Sequence, residues 1–289
     1  MKVLLLGATG MLGTDLHKQL ASQNIIVIPL SSQDYDLKNK EDIETAILSQ
    51  KDLDYVINCA AYTQVDQAES EQELAHLINA VAVEKMVKAC KKKQIPFVQL
   101  STDYVFDGTN KDHAYVETDS CQPINTYGYS KWLGEQHCLN NINNYYIFRV
   151  QWLYGDKGHH FIKTMIQLMH EKQVLKIVAD QWGSPTSTTS LARYITQVLQ
   201  EKPSYGIYHC TDEGVTTWYT FAKEIAKHIG YTGAIKPVTS EQFVRPAKRP
   251  KNGRLNCRKL ANSTKIKRSH WKEMLKQYLL DYKNKGESK

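Results

Sequence analysis

Tyr127 and Lys131 stand four residues apart in Asn125-Thr-Tyr-Gly-Tyr-Ser-Lys131, downstream of a chain opening that reads Gly7-Ala-Thr-Gly10-Met-Leu-Gly13. On a helix, side chains four apart share a face, so an ammonium can sit near a phenol. A nearby cation favours phenolate and would draw a tyrosine pKa down from about 10 towards the working range of a general acid. Alone, a Tyr-x-x-x-Lys spacing recurs by chance on many helices. Placed after a glycine-rich turn able to seat a dinucleotide, it points to carbonyl reduction.

The other residues with chemical potential follow from strand ends. Gly7, Gly10 and Gly13 come between an expected first strand and first helix, where glycines permit a tight turn and let a pyrophosphate approach the helix N-terminus;. The bland alternative is a plain strand–helix turn. Thr102, in Ser101-Thr-Asp-Tyr-Val-Phe-Asp-Gly108, falls after an expected fourth strand and 25 residues before Tyr127. Its hydroxyl can donate to a carbonyl oxygen on which negative charge develops, or it can cap a turn. Asn58-Cys-Ala-Ala-Tyr-Thr63 ends the third strand with small residues over which a cofactor can lie;. The second strand ends in Pro29-Leu-Ser-Ser32, with neither the acid that holds an adenosine ribose nor an arginine. Loss of that carboxylate removes repulsion against a 2′-phosphate, so NADPH is favoured, with NADH use open. Asp36 and Leu37 either contact the adenine or are ordinary surface residues.

These residues need a scaffold. Apolar β-like runs at 3–6, 25–28, 55–58, 97–101 and 145–149 alternate with helix-period stretches at 11–21, 40–49, 71–93 and 127–141;. That alternation implies an α/β fold with a doubly wound parallel sheet of Rossmann type. After about residue 150 the pattern loosens. Short strands at 177–179, 207–210 and 235–238 mix with helices at 160–172, 190–201, 217–229 and 271–282. The expected division is a dinucleotide-binding domain over 1–150 and a smaller α/β substrate lobe over 151–289, the chain being free to cross between them. The stretch 243–258, rich in Pro and Arg, reads as an irregular loop.

Composition narrows the class. The 289 residues are 42% hydrophobic and 23% charged, ordinary for a soluble protein;. No apolar run approaches the ~20 residues of a membrane span, and the first residues are too short a run for a signal peptide. Six scattered cysteines without C-x-x-C or metal-ligand spacing suggest free thiols in a reducing cytoplasm;. From Lys236 onward there are 16 Lys and Arg against 4 Asp and Glu, a surplus of +12 that leaves −5 for the rest of a chain of net +7. No nucleic-acid recognition motif accompanies that surplus. Either it is a solvated surface or some of its arginines meet a diphosphate-bearing substrate.

Taken in order, Gly7-x-x-Gly10-x-x-Gly13, Asn58-Cys-Ala-Ala-Tyr-Thr-Gln-Val-Asp66, the Ser101–Gly108 block and Tyr127-x-x-x-Lys131 resemble a known family. They are followed by Phe148-Arg-Val-Gln-Trp-Leu-Tyr-Gly155, Asp180-Gln-Trp-Gly-Ser-Pro-Thr186 and Arg249-Pro-Lys-Asn-Gly-Arg-Leu255. Together these blocks resemble the dTDP-4-dehydrorhamnose reductases, of the extended short-chain dehydrogenase/reductase superfamily, over nearly the whole chain. The resemblance implies NAD(P)H-dependent reduction of the C4 ketone of dTDP-4-dehydro-L-rhamnose, the last step of dTDP-L-rhamnose synthesis, which serves polysaccharide biosynthesis. It makes Tyr127 the catalytic acid, Lys131 its partner and Thr102 the carbonyl donor. It puts Met11 and Leu12, with the glycines, in the cofactor turn, and Ala61, Tyr62 and Thr63 beside the ribose and nicotinamide. It puts Thr102, Asp103 and Trp152 at the sugar nucleotide, although a core Trp is the commoner fate. The family varies in oligomeric state and Mg²⁺ use; a homodimer is open, Mg²⁺ dependence is unknown, and no metal cluster is evident.

A nucleotide-sugar 4,6-dehydratase would carry an acid after Thr-Asp to remove water, where this chain has Tyr104. An epimerase of the same fold matches less well after residue 148. A non-catalytic NAD(P)-binding regulatory subunit would show a damaged Tyr-x-x-x-Lys pair or an altered Thr102, and all three residues are present.

Overall fold

The computed structural model describes residues 1–110 and 112–287 of the chain. Its first half runs β1 (Lys2–Leu6), α1 (Met11–Ser22), β2 (Ile26–Leu30), α2 (Lys40–Leu48), β3 (Tyr55–Asn58) and α3 (Gln72–His76). A π-helical turn (Leu77–Val81) leads into α4 (Ala82–Lys93), β4 (Phe97–Thr102), α5 (Thr126–Asn141) and β5 (Tyr145–Val150). The second half adds β6 (Leu153–Tyr154), α6 (Phe161–Glu171), β7 (Val174–Val178), β8 (Trp182–Gly183), β9 (Thr186–Ser187) and α7 (Thr188–Glu201). It continues through β10 (Gly206–His209), β11 (Thr216–Thr217), α8 (Trp218–Ile229), β12 (Ala234–Val238), α9 (Arg258–Ser263) and α10 (Trp271–Glu287).

Six parallel strands make the main sheet in the order β10-β5-β4-β3-β1-β2. Strands β3 and β4 are buried along their whole length, the pattern of a parallel sheet covered on both faces;. One face packs on α1 and α7 through Leu12, Leu16, Leu191 and Ile195. The other packs on α2, α4 and α5 through Ile43, Val83, Met86 and Cys138. Each fully buried Leu, Val or Phe here contributes about 1.5–3 kcal/mol. From β1 the chain passes to β2 on one side and to β3 on the other, so a crevice opens beyond the carboxyl ends of β1 and β3. The glycine turn and Asn58–Thr63 lie at those two ends.

Two elements after residue 150 build this same body. Strand β10 pairs in register with β5, Tyr208 opposite Phe148, and α7 lies against α1. The smaller body is a separate apolar cluster of α6, α8, α10 and β7, centred on Ile162, Phe221, Ile225 and Leu275. Its β7 and β12 pair in parallel. The helical stretch expected over 71–93 is interrupted by the π turn, which inserts an extra residue and re-aims its side chains. The two-residue strands and α9 escaped sequence reading because they are too short to show a period. The stretch 243–258 is irregular, anchored by single bridges from Asn252 to Trp182 and from Leu255 to Tyr115.

Candidate active site

The dinucleotide cradle is a matter of close backbone approach. Gly7 has φ +72, and a Cβ on it would come within 2.7 Å of the Ala60 nitrogen at the end of β3. A Cβ on Gly13 would lie 2.1 Å from the Gly7 carbonyl oxygen. The turn therefore closes on itself in a way larger side chains would prevent. Helix α1 starts at Gly10 with no side-chain cap, which leaves first-turn N–H groups free to meet a diphosphate;. These features fit a dinucleotide. Met11 is half-buried beneath Gly158, while the Leu12 side chain belongs to the core, so that residue has only backbone to offer a ligand.

Around the cradle, the buried Tyr35 hydroxyl lies near the backbone of Gly7. Asp36 is exposed and accepts from the Lys38 nitrogen at 2.9 Å, and Leu37 packs on the sheet's second core. In the turn after β2, Asp34 accepts from both the nitrogen and the hydroxyl of Ser31 at 2.7 and 2.8 Å, so this nearby acid is engaged by its own turn. Ala61 is half-buried and Thr63 exposed. Between them Tyr62 is fixed at both backbone groups by Asn79: its nitrogen donates to Asn79 Oδ1 and its carbonyl accepts from Nδ2, each at 2.9 Å. Asn79 also reaches Ser130 Oγ on α5 at 3.0 Å. The π turn presents Asn79 for this task. An Asn in a helical stretch carries no such signal in sequence.

Helix α5 begins at Asn125, whose side chain accepts from the Gly128 nitrogen at 2.7 Å, an ordinary Asn cap;. Tyr127 then faces Thr102 at the end of β4, close enough for that hydroxyl to favour the phenolate. Thr102 also accepts from the Tyr104 nitrogen at 3.2 Å and donates to Asp103 Oδ1 at 3.2 Å. Of the two readings of Thr102 the turn cap is observed, and the same hydroxyl lies beside the Tyr127 phenol. Lys131 is buried, and its Nζ donates to the Leu100 carbonyl at 2.7 Å.

The electrostatics differ from expectation. Burial pushes the Tyr127 phenol up to about 12, opposed by the Thr102 hydrogen bond and reinforced by Asp103. The expected lowering by Lys131 is not found in this arrangement: burial leads, and the ammonium is turned to the Leu100 carbonyl instead. Burial in turn pulls Lys131 down to about 8, with the negative charge of Glu135 the leading opposing influence. Asp103 is raised by burial to about 7 against hydrogen bonds from Gln151 and Thr102. Asp103 lies behind Thr102, tied to Gln151 Nε2 at 3.1 Å, and Gln151 also donates to the Gly253 carbonyl at 2.7 Å.

In front of these groups lies a cleft of about 1850 Å³. Neither Thr102 nor Tyr127 lines it directly, but Tyr104 does, and its ring stands edge-on to Tyr127 at 5.7 Å. Tyr104 lies close to Arg249, and Arg249 pairs with Asp66 at 2.7 Å. Asp66 also accepts from Arg245 and from the Ala247 nitrogen. Burial would raise the Asp66 carboxyl, yet Arg249, Ala247 and Arg245 together hold it at about 2. Arg245, Arg249, Lys248 and Lys251 thus bring positive charge from 243–258 to the cleft wall. Trp152 is half-buried, its indole stacked on Trp218 at 3.5 Å between ring centres, and Trp218 is the member that lines the cleft. Trp152 adopts φ +48, a strained backbone for a Trp;.

Under the site, Glu135 and Arg149 form a buried bidentate pair, Nε to Oε1 at 3.0 Å and Nη2 to Oε2 at 2.7 Å. Neither was singled out in the sequence, although 127, 131 and 135 continue one i, i+4 progression. Among the described residues no group of three or more His, Cys, Asp or Glu side chains is placed to hold a metal, and no helix is long and apolar enough to cross a membrane.

Comparison with known proteins agrees with this geometry. The RmlD substrate binding domain family matches residues 1–284. The dTDP-4-dehydrorhamnose reductase of Salmonella typhimurium is 36% identical, over 97% of this chain and 98% of its own. A crystal structure of a dTDP-4-dehydrorhamnose reductase from Clostridium acetobutylicum superposes with a TM-score of 0.93 at 42% identity, covering 98% of this chain and 100% of that one. The Bacillus anthracis reductase solved with NADP gives 0.91 at 35% identity, covering 97% and 99%.

Proposed function

This chain belongs to the RmlD family of dTDP-4-dehydrorhamnose reductases, and from that membership we propose how its own residues carry out the reaction. The protein is an NADPH-dependent oxidoreductase that converts dTDP-4-dehydro-L-rhamnose to dTDP-L-rhamnose. The observation that carries the residue assignment is the meeting of Tyr127 with Thr102 beside the crevice at the ends of β1 and β3.

The Gly7–Gly13 turn and the N-terminus of α1 hold the diphosphate of the cofactor, and Ala61, Tyr62 and Thr63 border its ribose and nicotinamide. NADPH seated there supplies the hydride to C4. Thr102 turns its hydroxyl to the carbonyl oxygen, and Tyr127 gives that oxygen its proton as negative charge grows. A phenol that burial holds at about 12 is protonated at neutral pH and able to donate to an alkoxide;. Lys131 binds the nicotinamide ribose, and its charge stabilises the phenolate left behind. Tyr104 supports Tyr127 from the cleft side. Arg245, Arg249 and Lys248 supply the cationic wall suited to the sugar-nucleotide diphosphate. Trp218 offers its exposed face to the ligand, with Trp152 stacked behind it. A cytoplasmic location suits the soluble nucleotide-sugar substrate, and a homodimer is the assembly to test by light scattering.

The test follows NADPH absorbance with dTDP-4-keto-L-rhamnose, then repeats it with NADH. Substrate-dependent oxidation, faster with NADPH, is expected. Protein that binds NADPH but oxidises none of it would return the chain to the regulatory-subunit reading.

A further inference from the structure

We propose that Glu135 and Arg149 are a positioning pair for the active site, with Glu135 supplying the buried negative charge that keeps Lys131 in its cationic form and in place. This rests on the role of Lys131 given above and goes beyond it to residues that touch neither cofactor nor substrate.

Three successive turns of α5 each meet one of the last three residues of β4. Tyr127 faces Thr102, Lys131 Nζ donates to the Leu100 carbonyl at 2.7 Å, and Glu135 accepts from Ser101 Oγ. Residues at i, i+4 and i+8 share one helix face, so acid, cation and carboxylate stand in a column against a single strand end. Glu135 is 0% exposed and Arg149 2%. A charge removed from water in this way persists only with close, hydrogen-bonded partners. Glu135 has them in the guanidinium fork and Ser101. Arg149, rising from β5, is itself held over the Phe106 ring at 5.0 Å and bonded to Cys121 Sγ at 3.1 Å.

The groups that face Lys131 from neighbouring elements are uncharged near neutral pH. Burial pushes Cys59, after β3, up to about 12 and also raises Cys138 on α5. On β10, burial and then Arg149 pull His209, the residue beside that guanidinium, down to about 3. Glu117 acts on Arg149 and Asp103 on Tyr127, each away from the ammonium. Glu135 therefore leads the opposition to the desolvation that draws Lys131 down. A carboxylate set one turn below an ammonium, in the same dry space, stabilises the charged form. The fork from Arg149 holds that carboxylate fixed.

The pH dependence of kcat/KM, and of the NADPH dissociation constant measured by fluorescence titration, separates this from a merely structural pair. Glu135→Gln keeps the shape but deletes the charge and leaves the Arg149 cation. The alkaline limb of both profiles is expected to move down by about one unit or more, with about tenfold lower kcat/KM above it. Ser101→Ala removes a hydrogen bond from Glu135 but keeps its charge, and should leave the limb in place. If Glu135→Gln does not fold, the double variant Glu135→Gln/Arg149→Met, which leaves no unpaired buried charge, should fold and still show a lowered limb. A folded Glu135→Gln or double variant with the wild-type limb overturns the proposal, as does an equal shift in Ser101→Ala. Lys131→Met separates the two levels. If it turns over normally, the role given to Lys131 fails; if it is inactive while the Glu135 variants show no shift, only the pairing fails.

Discussion

The strand-end site and the cleft wall facing it are built in opposite ways. Thr102, Tyr127, Lys131 and Glu135 ride on one strand and one helix, all but Tyr127 nearly inaccessible and fixed by a named hydrogen bond. Across the cleft, 243–258 has no strand or helix until α9 and leaves Val244 83% exposed. It is held to the first body by Asp66, through Arg245, Ala247 and Arg249, and by Asn125, whose side chain donates to the Lys248 carbonyl at 2.7 Å. Proton transfer needs atoms fixed to a fraction of an ångström, which packed regular elements supply. A large charged ligand needs a wall that can adjust, and the 243–249 part of this irregular loop, held mainly by ionic contacts while 252–257 is bridged and buried, provides one;.

Three experiments bear on that contrast. The largest effect should come from the rigid side. Tyr127→Phe is expected to lower kcat by about 10²–10⁴-fold while the NADPH dissociation constant and the melting temperature stay near wild type. Near-normal turnover would mean the fixed column is not where the proton comes from.

Next, Gly13→Ala puts a methyl 2.1 Å from a backbone oxygen in the same rigid region. A loss of about 1–3 kcal/mol in urea unfolding is expected, with weaker NADPH binding. A neutral result would show the cradle to be as adjustable as the loop.

The smallest effect belongs to the loop. Asp66→Asn frees Arg245 and Arg249 and should raise KM for the sugar nucleotide about tenfold, in line with about 1.5–3 kcal/mol for charged hydrogen bonds, while kcat changes less. The pH dependence has a definite sign. Asp66 is held at about 2, below its unfolded value near 3.9, so its contribution is complete above that unfolded value and fades as pH falls towards 2;. Because the carboxylate is partly exposed, solvent screening trims the gain. Amide exchange across 243–258 should accelerate in that acid window before exchange in α5 does; simultaneous loss would make the two regions one cooperative unit.

Much of the first body was legible in advance because its signals are local. Strands β1, β3, β4 and β5 are apolar runs, α1 follows a glycine turn, and Tyr127 and Lys131 share a face by helix geometry alone. The π turn was not legible, since an inserted residue leaves the apolar spacing almost unchanged, and so Asn79 was missed. Trp152 follows β5 as expected, but the stacking partner that fixes its ring, Trp218, lies far away in sequence and was not foreseen.

By itself the sequence determined the parallel α/β scaffold, the glycine turn and the shared helix face of Tyr127 and Lys131, because each depends on contacts within a few residues or on a repeating period. Tertiary structure alone decided the rest. Strand β10 joins a sheet begun 200 residues earlier, and Asp66 meets Arg249 across 183 residues of chain. Burial, a property of the assembled whole, sends Tyr127 up and Lys131 down where neighbouring charge alone would predict otherwise;.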